Sequence, residues 1–476
     1  MTILDSASSI QRQLSNLAAR KRRREELLEQ VRSGKYDHIF PASEYYAGES
    51  GRHPSPEPES LERDFAGFTE QEGGVLHRRL VLPLPGADRT GESAPGLPIR
   101  SYGLDDWREL PAPVLGELLP PGDCREAGRC GIGDVCFLDT ETSGLAGGTG
   151  TVVFLTGLGW WERDGAGRWQ FVVEQYLIRD FPHEPAKVHL LAERLSQFRL
   201  FCTYNGRTFD VPLLRTRAIM NRCRPGPFRR PNVDLLPFCR RFWRGVLPSV
   251  SLKQVELDVL GLDRGPDIDG SLIPRVFFDL SQGRHPRLLP AVLSHNVQDI
   301  ATLGGLLEKA LRIAADPFGG GELSHWAEFA ALARHHERRR DPAGAARALE
   351  RALERAPGIA EETPLLLRLA AAHKRLREWP LAVETWSALA TSNDWLIAVQ
   401  AATELAKYHE HVAKDFAAAL RAVEQVRRKG ELRVELASYA GNGVLAGMET
   451  LLSELARREN RLRKRLRGKT RDPEAR

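Results

Sequence analysis

The sequence predicts an α/β domain followed by an all-α helical-repeat domain, and three observations carry that reading. From Val135 to about Ala314, strand-like runs alternate with helix-like ones: VCFLD, TVVFLTGLGWW, WQFVVEQYLI, a helix over 186–198, LFCTYN, a helix after Phe209 and a helix from about Leu288. Beyond Pro317 and Gly319-Gly-Gly321 the strands stop, and alanine- and leucine-rich helices take over. Those helices repeat, with RDPAGAARALERAL, REWPLAVETWSALA and KDFAAALRAVEQV placing Ala345, Ala382 and Ala419 at a constant interval of 37 residues. Small residues at fixed positions let helix pairs stack closely, and one pair alone cannot bury its apolar face.

A chain of 476 residues exceeds what one core organises, and 42% hydrophobic with 28% charged residues is ordinary globular composition. Segments 1–130, 131–315, 322–430 and 431–476 are the expected divisions. The first holds a helix over 8–33, a linker from about Gly48 to Arg63 (GESGRHPSPEPESLER), a strand over 75–84 (VLHRRLVLPL), and a turn-rich stretch to 130 whose structure stays open. No apolar run approaches the roughly 18 residues of a membrane span, and the first thirty residues are polar and basic, so the expectation is a cytoplasmic protein without a membrane partner. The six cysteines form no C-x-x-C pair, which fits reduced structural thiols. The net charge of +5 is concentrated in Arg20–Arg24 and in the stretch from Arg457 to Arg471, where nine Lys or Arg stand against one acid. Such ends suit a polyanion, and a solvated helix face is the equal alternative.

In VCFLDTETSGLAGGTG an apolar run ends in two acids two residues apart. Side chains at i and i+2 of a strand share a face, so Asp139 and Glu141 project together while Leu138 and Thr140 face the other way. Paired carboxylates repel, and a hard divalent cation relieves the repulsion. Asp210 stands before Pro212 at the opening of a helix, where it serves as N-cap or as ligand. The helix from about Leu288 carries an apolar stripe of Leu289, Leu293, Ile300, Leu303 and Leu307, and places His295 and Asp299 one turn apart elsewhere. The glycine-rich GLAGGTGT lacks the lysine of a phosphate-binding Walker loop and leads into a strand, so a tight turn between antiparallel strands is its expected role.

FLDTETSGL, YNGRTFDVPLL and HNVQD resemble the three exonuclease motifs of the DEDD superfamily, whose fold is ribonuclease H-like. More narrowly, DTETSGLAGGTGTVVFLTGLG with NGRTFD, NVDLLP and SHNVQDI resembles the bacterial YprB-like ribonuclease H-like proteins, some of which carry tetratricopeptide-like repeats. The match covers about residues 134–312, with a looser one over the C-terminal helices. The resemblance implies a mixed sheet flanked by helices and a 3′ to 5′ exonuclease that hydrolyses phosphodiester bonds of DNA or RNA. It also implies two Mg²⁺ or Mn²⁺ ions held by Asp139, Glu141, Asp210 and Asp299. Two such ions ready a water for in-line attack and neutralise the leaving oxygen.

His295 would orient or deprotonate that water. Three residues separate it from Asp299, the spacing of the superfamily's tyrosine branch; the histidine branch has four. Asn205 and Phe209 match positions near the substrate strand, with a turn residue and a core aromatic as equal alternatives. Asp234 recurs in the resemblance or caps the next helix, and Lys253 is a weaker phosphate contact. The repeats would serve a protein partner or cap the nuclease domain. A nucleic-acid-binding scaffold and a structure-specific endonuclease are the rival readings.

Overall fold

The computed structural model describes residues 65–82, 104–144, 150–319, 321–439 and 445–471, apart from Ala66, Pro266 and His285. The N-terminal helix and linker, the basic run at Arg20–Arg24, the centre of the glycine-rich turn (145–149) and the last five residues lie outside these. The chain divides into two compact units, Met1–Cys239 with Ser249–Pro317, and Arg240–Pro248 with Phe318–Arg476.

The first unit is built on a seven-stranded mixed sheet of order β1-β2-β5-β4-β3-β6-β7. The strands are β1 (Thr69–Glu70), β2 (Leu76–Leu82), β3 (Val135–Thr142), β4 (Val153–Arg163), β5 (Trp169–Leu177), β6 (Leu200–Thr203) and β7 (Asn232–Asp234). β3, β4, β5, β2 and β1 pair antiparallel, and β6 and β7 join β3 in parallel. The central strands are buried on both faces, which is why β4 and β5 read as nearly continuous apolar runs. The turn-rich stretch before 130 contains two short helices, α1 (Ala112–Leu118) and α2 (Pro121–Ala127), each opened by proline in its first turn, where a missing N–H costs nothing. Then follow α3 (Glu184–Leu195), α4 (Asp210–Met220), α5 (Leu235–Trp243), α6 (Leu252–Leu260), α7 (Ile273–Ser281) and α8 (Leu289–Ala315).

One face of the sheet, with Cys136, Leu138, Leu158 and Trp160, packs on Val188 and Leu191 of α3 and Leu213 and Leu214 of α4. The other face receives α8, whose predicted stripe of Leu289, Leu293, Ile300, Leu303 and Leu307 is buried throughout. All six cysteines are free thiols, five of them buried. Burial pushes those of Cys136 and Cys202 well up, so they stay as inert thiols.

The second unit is all-helical: α9 (Trp326–Arg338), α10 (Pro342–Leu353), α11 (Ile359–Leu376), α12 (Trp379–Leu389), α13 (Trp395–His411), α14 (Phe416–Tyr439) and α15 (Leu445–Arg471), each packed on the next. Ala345, Ala382 and Ala419 are all buried, as their spacing requires. The third repeat segment opens α14, which continues to Tyr439. The basic stretch after Arg457 is partly internal wiring. Glu410, 1% exposed, accepts from Arg458 (3.4 Å) and Arg461 (2.8 Å) and forms an ion pair with Arg465 (3.0 Å), and Glu459 faces Arg427 and Arg463, each at 2.6 Å. Among the described residues no helix is long and apolar enough to cross a membrane.

Candidate active site

The site forms where β3 outruns its parallel neighbour. β6 pairs only with Val135–Phe137, so beyond Leu138 the β6 side of β3 has no strand partner among the described residues. The ladder to β4 also shifts register between Glu141 and Thr142, at the end of the acidic pair. Past the pair, Ser143 and Val152 close the base of the β3–β4 connection, with backbone and hydroxyl bonds of 2.9 Å each.

Asp139 and Glu141 share the face covered by α8. That helix sits deep because β4 offers it no side chains at two points. A Cβ on Gly157, which is opposite Asp139, would stand 2.3 Å from Asn296 Oδ1, and one on Gly159 would stand 2.3 Å from Ile300 Cγ2. Gly304 meets Phe171 in the same way at 3.0 Å. Residues 296, 300 and 304 recur at one-turn intervals, so one edge of α8 lies along a seat cut from β4 and β5. Asn296 is fully buried there and donates from Nδ2 to Asp139 Oδ2 (2.8 Å). Its Oδ1 accepts from Gln175 Nε2 (2.8 Å), and Gln175 Oε1 accepts from Arg78 Nε (2.7 Å). A fixed chain of donors therefore ends on Asp139.

Asp210 approaches from the other side. Thr140, facing away from Asp139 as strand alternation demands, donates its hydroxyl to the Asp210 carboxylate. This carboxylate occupies the strand edge that β6 leaves open. Asp234 holds the preceding loop, accepting from the backbone N–H of Asn205 (2.8 Å) and of Arg207 (3.3 Å), and caps α5 through Leu236 N–H (3.1 Å). Asn205 takes a left-handed φ of 65°, and its side chain accepts from the Thr208 hydroxyl (2.9 Å). Asn205 is exposed and Phe209 half-buried, so the turn role of Asn205 is visible.

On α8, His295 Nε2 lies 3.6 Å from Asp299 Oδ2 and 4.0 Å from Glu141 Oε1, while Nδ1 is 2.7 Å from Asp267 Oδ1. Arg264 Nη1 reaches Asp299 Oδ1 (2.6 Å) and Asp267 Oδ2 (3.3 Å), and its Nε donates to Glu256, which also accepts from Thr302 (2.7 Å). Lys253 stands close enough to help lower Asp267.

Burial raises the Asp139 carboxyl well above the usual range, and the charges of Glu141, Asp299 and Asp210 raise it further. Glu141 is raised by burial too, against the pull of His295 and with Asp299, Asp210 and Asp267 adding to the rise. Burial lifts Asp210 as well, and the Thr140 hydroxyl bond opposes it. Burial alone would lower His295, but the Asp267 bond and the charges of Asp299 and Glu141 win and raise it, making the ring an imidazolium at neutral pH. The four acids Asp139, Glu141, Asp210 and Asp299 thus converge closely enough to act on one another. Among the described residues no three His, Cys, Asp or Glu side chains close on a single point as a finished metal cage. The donor chemistry still suits a hard divalent cation: buried carboxylate oxygens carrying more negative charge than the one imidazolium and one guanidinium beside them balance.

Sequence reasoning missed Asn296, Thr140, Asp267 and Arg264. Asn296 lies inside the HNVQD motif, and its cue was the glycine pair in LTGLGWW. Asp267 and Arg264 sit in a loop without periodicity, which gave no cue.

A sheet with four antiparallel-paired strands on one side of β3 and two parallel ones on the other, acids on β3 and a helix bringing a further acid across, defines a nuclease-like fold. A model of the RNase_H superfamily matches residues 136–311, and the chain belongs to that family. It is 33% identical over 293 residues to "Uncharacterized protein YprB" of Bacillus subtilis (strain 168), an alignment spanning 61% of this chain and 68% of that protein.

Proposed function

We propose that the chain is a divalent-metal-dependent nuclease that hydrolyses phosphodiester bonds of DNA or RNA, acting from the 3′ end. One observation carries this reading: the charges of Asp210 and Asp299, far away in sequence, reach the buried carboxyls of Asp139 and Glu141 and raise both. Those four carboxylates would hold Mg²⁺ or Mn²⁺, which when bound supplies charge neutralisation at the scissile phosphate and a more acidic water. Asn296 and Thr140 fix the orientation of Asp139 and Asp210. Asp267 holds the His295 ring by Nδ1, leaving Nε2 turned toward Glu141 and Asp299. With Glu141 and Asp299 neutralised, two of the charges that keep the ring protonated are removed while the Asp267 bond remains, so Nε2 would release its proton more readily and could exchange one with water. Arg264 restrains Asp299 and shares its charge.

The test is hydrolysis of end-labelled single-stranded DNA and RNA by the full chain in Mn²⁺, comparing wild type with Asp139→Asn. Stepwise loss of mononucleotides from the 3′ end that disappears in the variant supports the reading. A single internal cut replaces exonuclease by endonuclease, and equal activity in both proteins removes the site. The Arg264–Asp299 ion pair favours a second reading, in which the domain grips nucleic acid without cutting it and the helical unit recruits a protein partner. Metal-independent retention of the oligonucleotide, with no cleavage in either protein, is its signature.

A further inference from the structure

Beside the acid cluster lies a second, basic cavity that the hydrolytic reading leaves unused. It has a volume of about 330 Å³ and is lined by Arg207, Arg215, Arg229 and Arg230 together with Asp123 and Glu126, so the arginines outnumber the acids. Arg207 is paired with Asp123 (2.9 Å) and Arg230 Nη2 donates to Ser196 O (3.3 Å), whereas Arg215 and Arg229 are exposed and their side chains have no hydrogen-bond or ionic partner among the described residues. Two buried donors belong to the same lining. Asn232 is 4% exposed and engages Thr203 only through Oδ1 (3.1 Å), leaving Nδ2 without an acceptor among the described residues, and Arg230 Nε is likewise buried and unsatisfied. Buried donors lacking acceptors are costly, and an oxyanion is the chemistry that satisfies them beside free guanidinium groups.

The cavity's place in the fold links it to the acids. Asp210 opens α4 and turns to Thr140, while the next residue, Val211, lines the cavity together with Arg215 one turn later. Arg207 belongs to the loop that Asp234 holds against the end of β6. The first turn of α4 therefore has the acid cluster on one side and the arginines on the other.

We propose that this cavity binds a backbone phosphate of the strand whose bond is cut at the acids, holding that strand in place next to Asp210. The proposal rests on the nuclease reading, and the phosphate could equally come from a free mononucleotide, so the experiment separates these. Binding to the full chain is measured in EDTA, where no cleavage occurs, for a fluorescent single-stranded oligonucleotide, a mononucleotide and inorganic phosphate. Wild type is compared with Arg215→Gln/Arg229→Gln across a salt series. The basic C-terminal residues are common to both proteins, so the difference isolates the cavity.

The expected result is oligonucleotide affinity lower on the order of tenfold near 0.1 M salt, with a salt slope shallower by about 0.7 for each phosphate that is no longer neutralised. Arg215→Lys/Arg229→Lys restores the slope because the charges return, and all three proteins share one melting temperature because both side chains are exposed. Unchanged slope and affinity in the glutamine variant, with wild type binding and cutting normally, overturn this proposal alone. An equal loss toward the mononucleotide reassigns the cavity to free nucleotide and overturns the strand assignment. Failure of wild type to bind any oligonucleotide overturns the nuclease reading and this proposal with it.

Discussion

Replacing Gly157 by alanine tests how the sheet sets the position of α8. The new methyl would lie 2.3 Å from Asn296 Oδ1 and 2.9 Å from its Cγ and Nδ2, where ordinary van der Waals separation begins near 3.4 Å. The amide must therefore retreat by about 1 Å, which breaks its 2.8 Å bonds to Asp139 Oδ2 and Gln175 Nε2. Gln175 keeps Leu293 O as a second acceptor, but Asp139 loses the donor at the end of the Arg78–Gln175–Asn296 chain. A hydrogen bond to a charged group contributes about 1.5–3 kcal/mol, a neutral one about 1, and overpacking adds a further 1–3. The variant should lose about 3.5–7 kcal/mol in guanidinium unfolding followed by circular dichroism. Asn296→Ala removes the same bonds without the clash and should cost about 2.5–4 kcal/mol. In Gly157→Ala/Asn296→Ala the methyl finds the space the amide vacated, so the double variant should fall short of the sum by about 1 kcal/mol or more, on the order expected for residues that touch. Additive losses would refute the idea that Gly157 is small for the sake of Asn296.

Lys187, 1% exposed and donating to Val153 O (2.8 Å), is pushed down by burial to about 7. The unfolded chain, with lysine near about 10.4, binds one more proton than the folded chain between those values, so this group makes stability rise with pH from about 7 to about 10 and is most unfavourable below 7. Lys187→Met should abolish that rise and be the more stable protein at pH 6, a difference that shrinks toward pH 10 in denaturant titrations. Glu410→Gln leaves Arg458, Arg461 and Arg465 facing a neutral amide, and should lower the stability of the helical unit by about 1–3 kcal/mol, read by thermal melting. Mn²⁺ should raise the melting temperature of wild type, since a cation at 100 times its Kd stabilises by about 2.7 kcal/mol, and should leave that of Asp139→Asn nearly unmoved. A calorimetric scan with and without the metal decides it.

The α/β order was legible because each element follows one period: two along VCFLD, 3.6 along the stripe from Leu289 to Leu307. Strand alternation also placed Asp139 and Glu141 on one face, and helix spacing placed His295 and Asp299 one turn apart, whereas the grouping of the four acids came from the family resemblance and not from any local pattern. What stayed hidden depends on pairings across long sequence separations. Nothing local says that Asp267 holds His295, that Arg264 pairs with Asp299, or that Thr140 reaches Asp210 on the far side of β3. The basic run after Arg457, which suited a polyanion or a solvated helix face equally, has a further role that no local pattern shows: Glu410 and Glu459 pair with several of its arginines within the helical unit.

The bond between Thr140 and Asp210 gives one carboxylate two separable duties. As an acceptor it finishes the exposed flank of β3; as an anion it belongs to the cluster. Asparagine retains an oxygen for the first duty and abolishes the second, whereas alanine forfeits both. Substitution at this position thus splits architecture from chemistry, and the amide form is the natural silent reference protein for any experiment that needs an intact but inert copy.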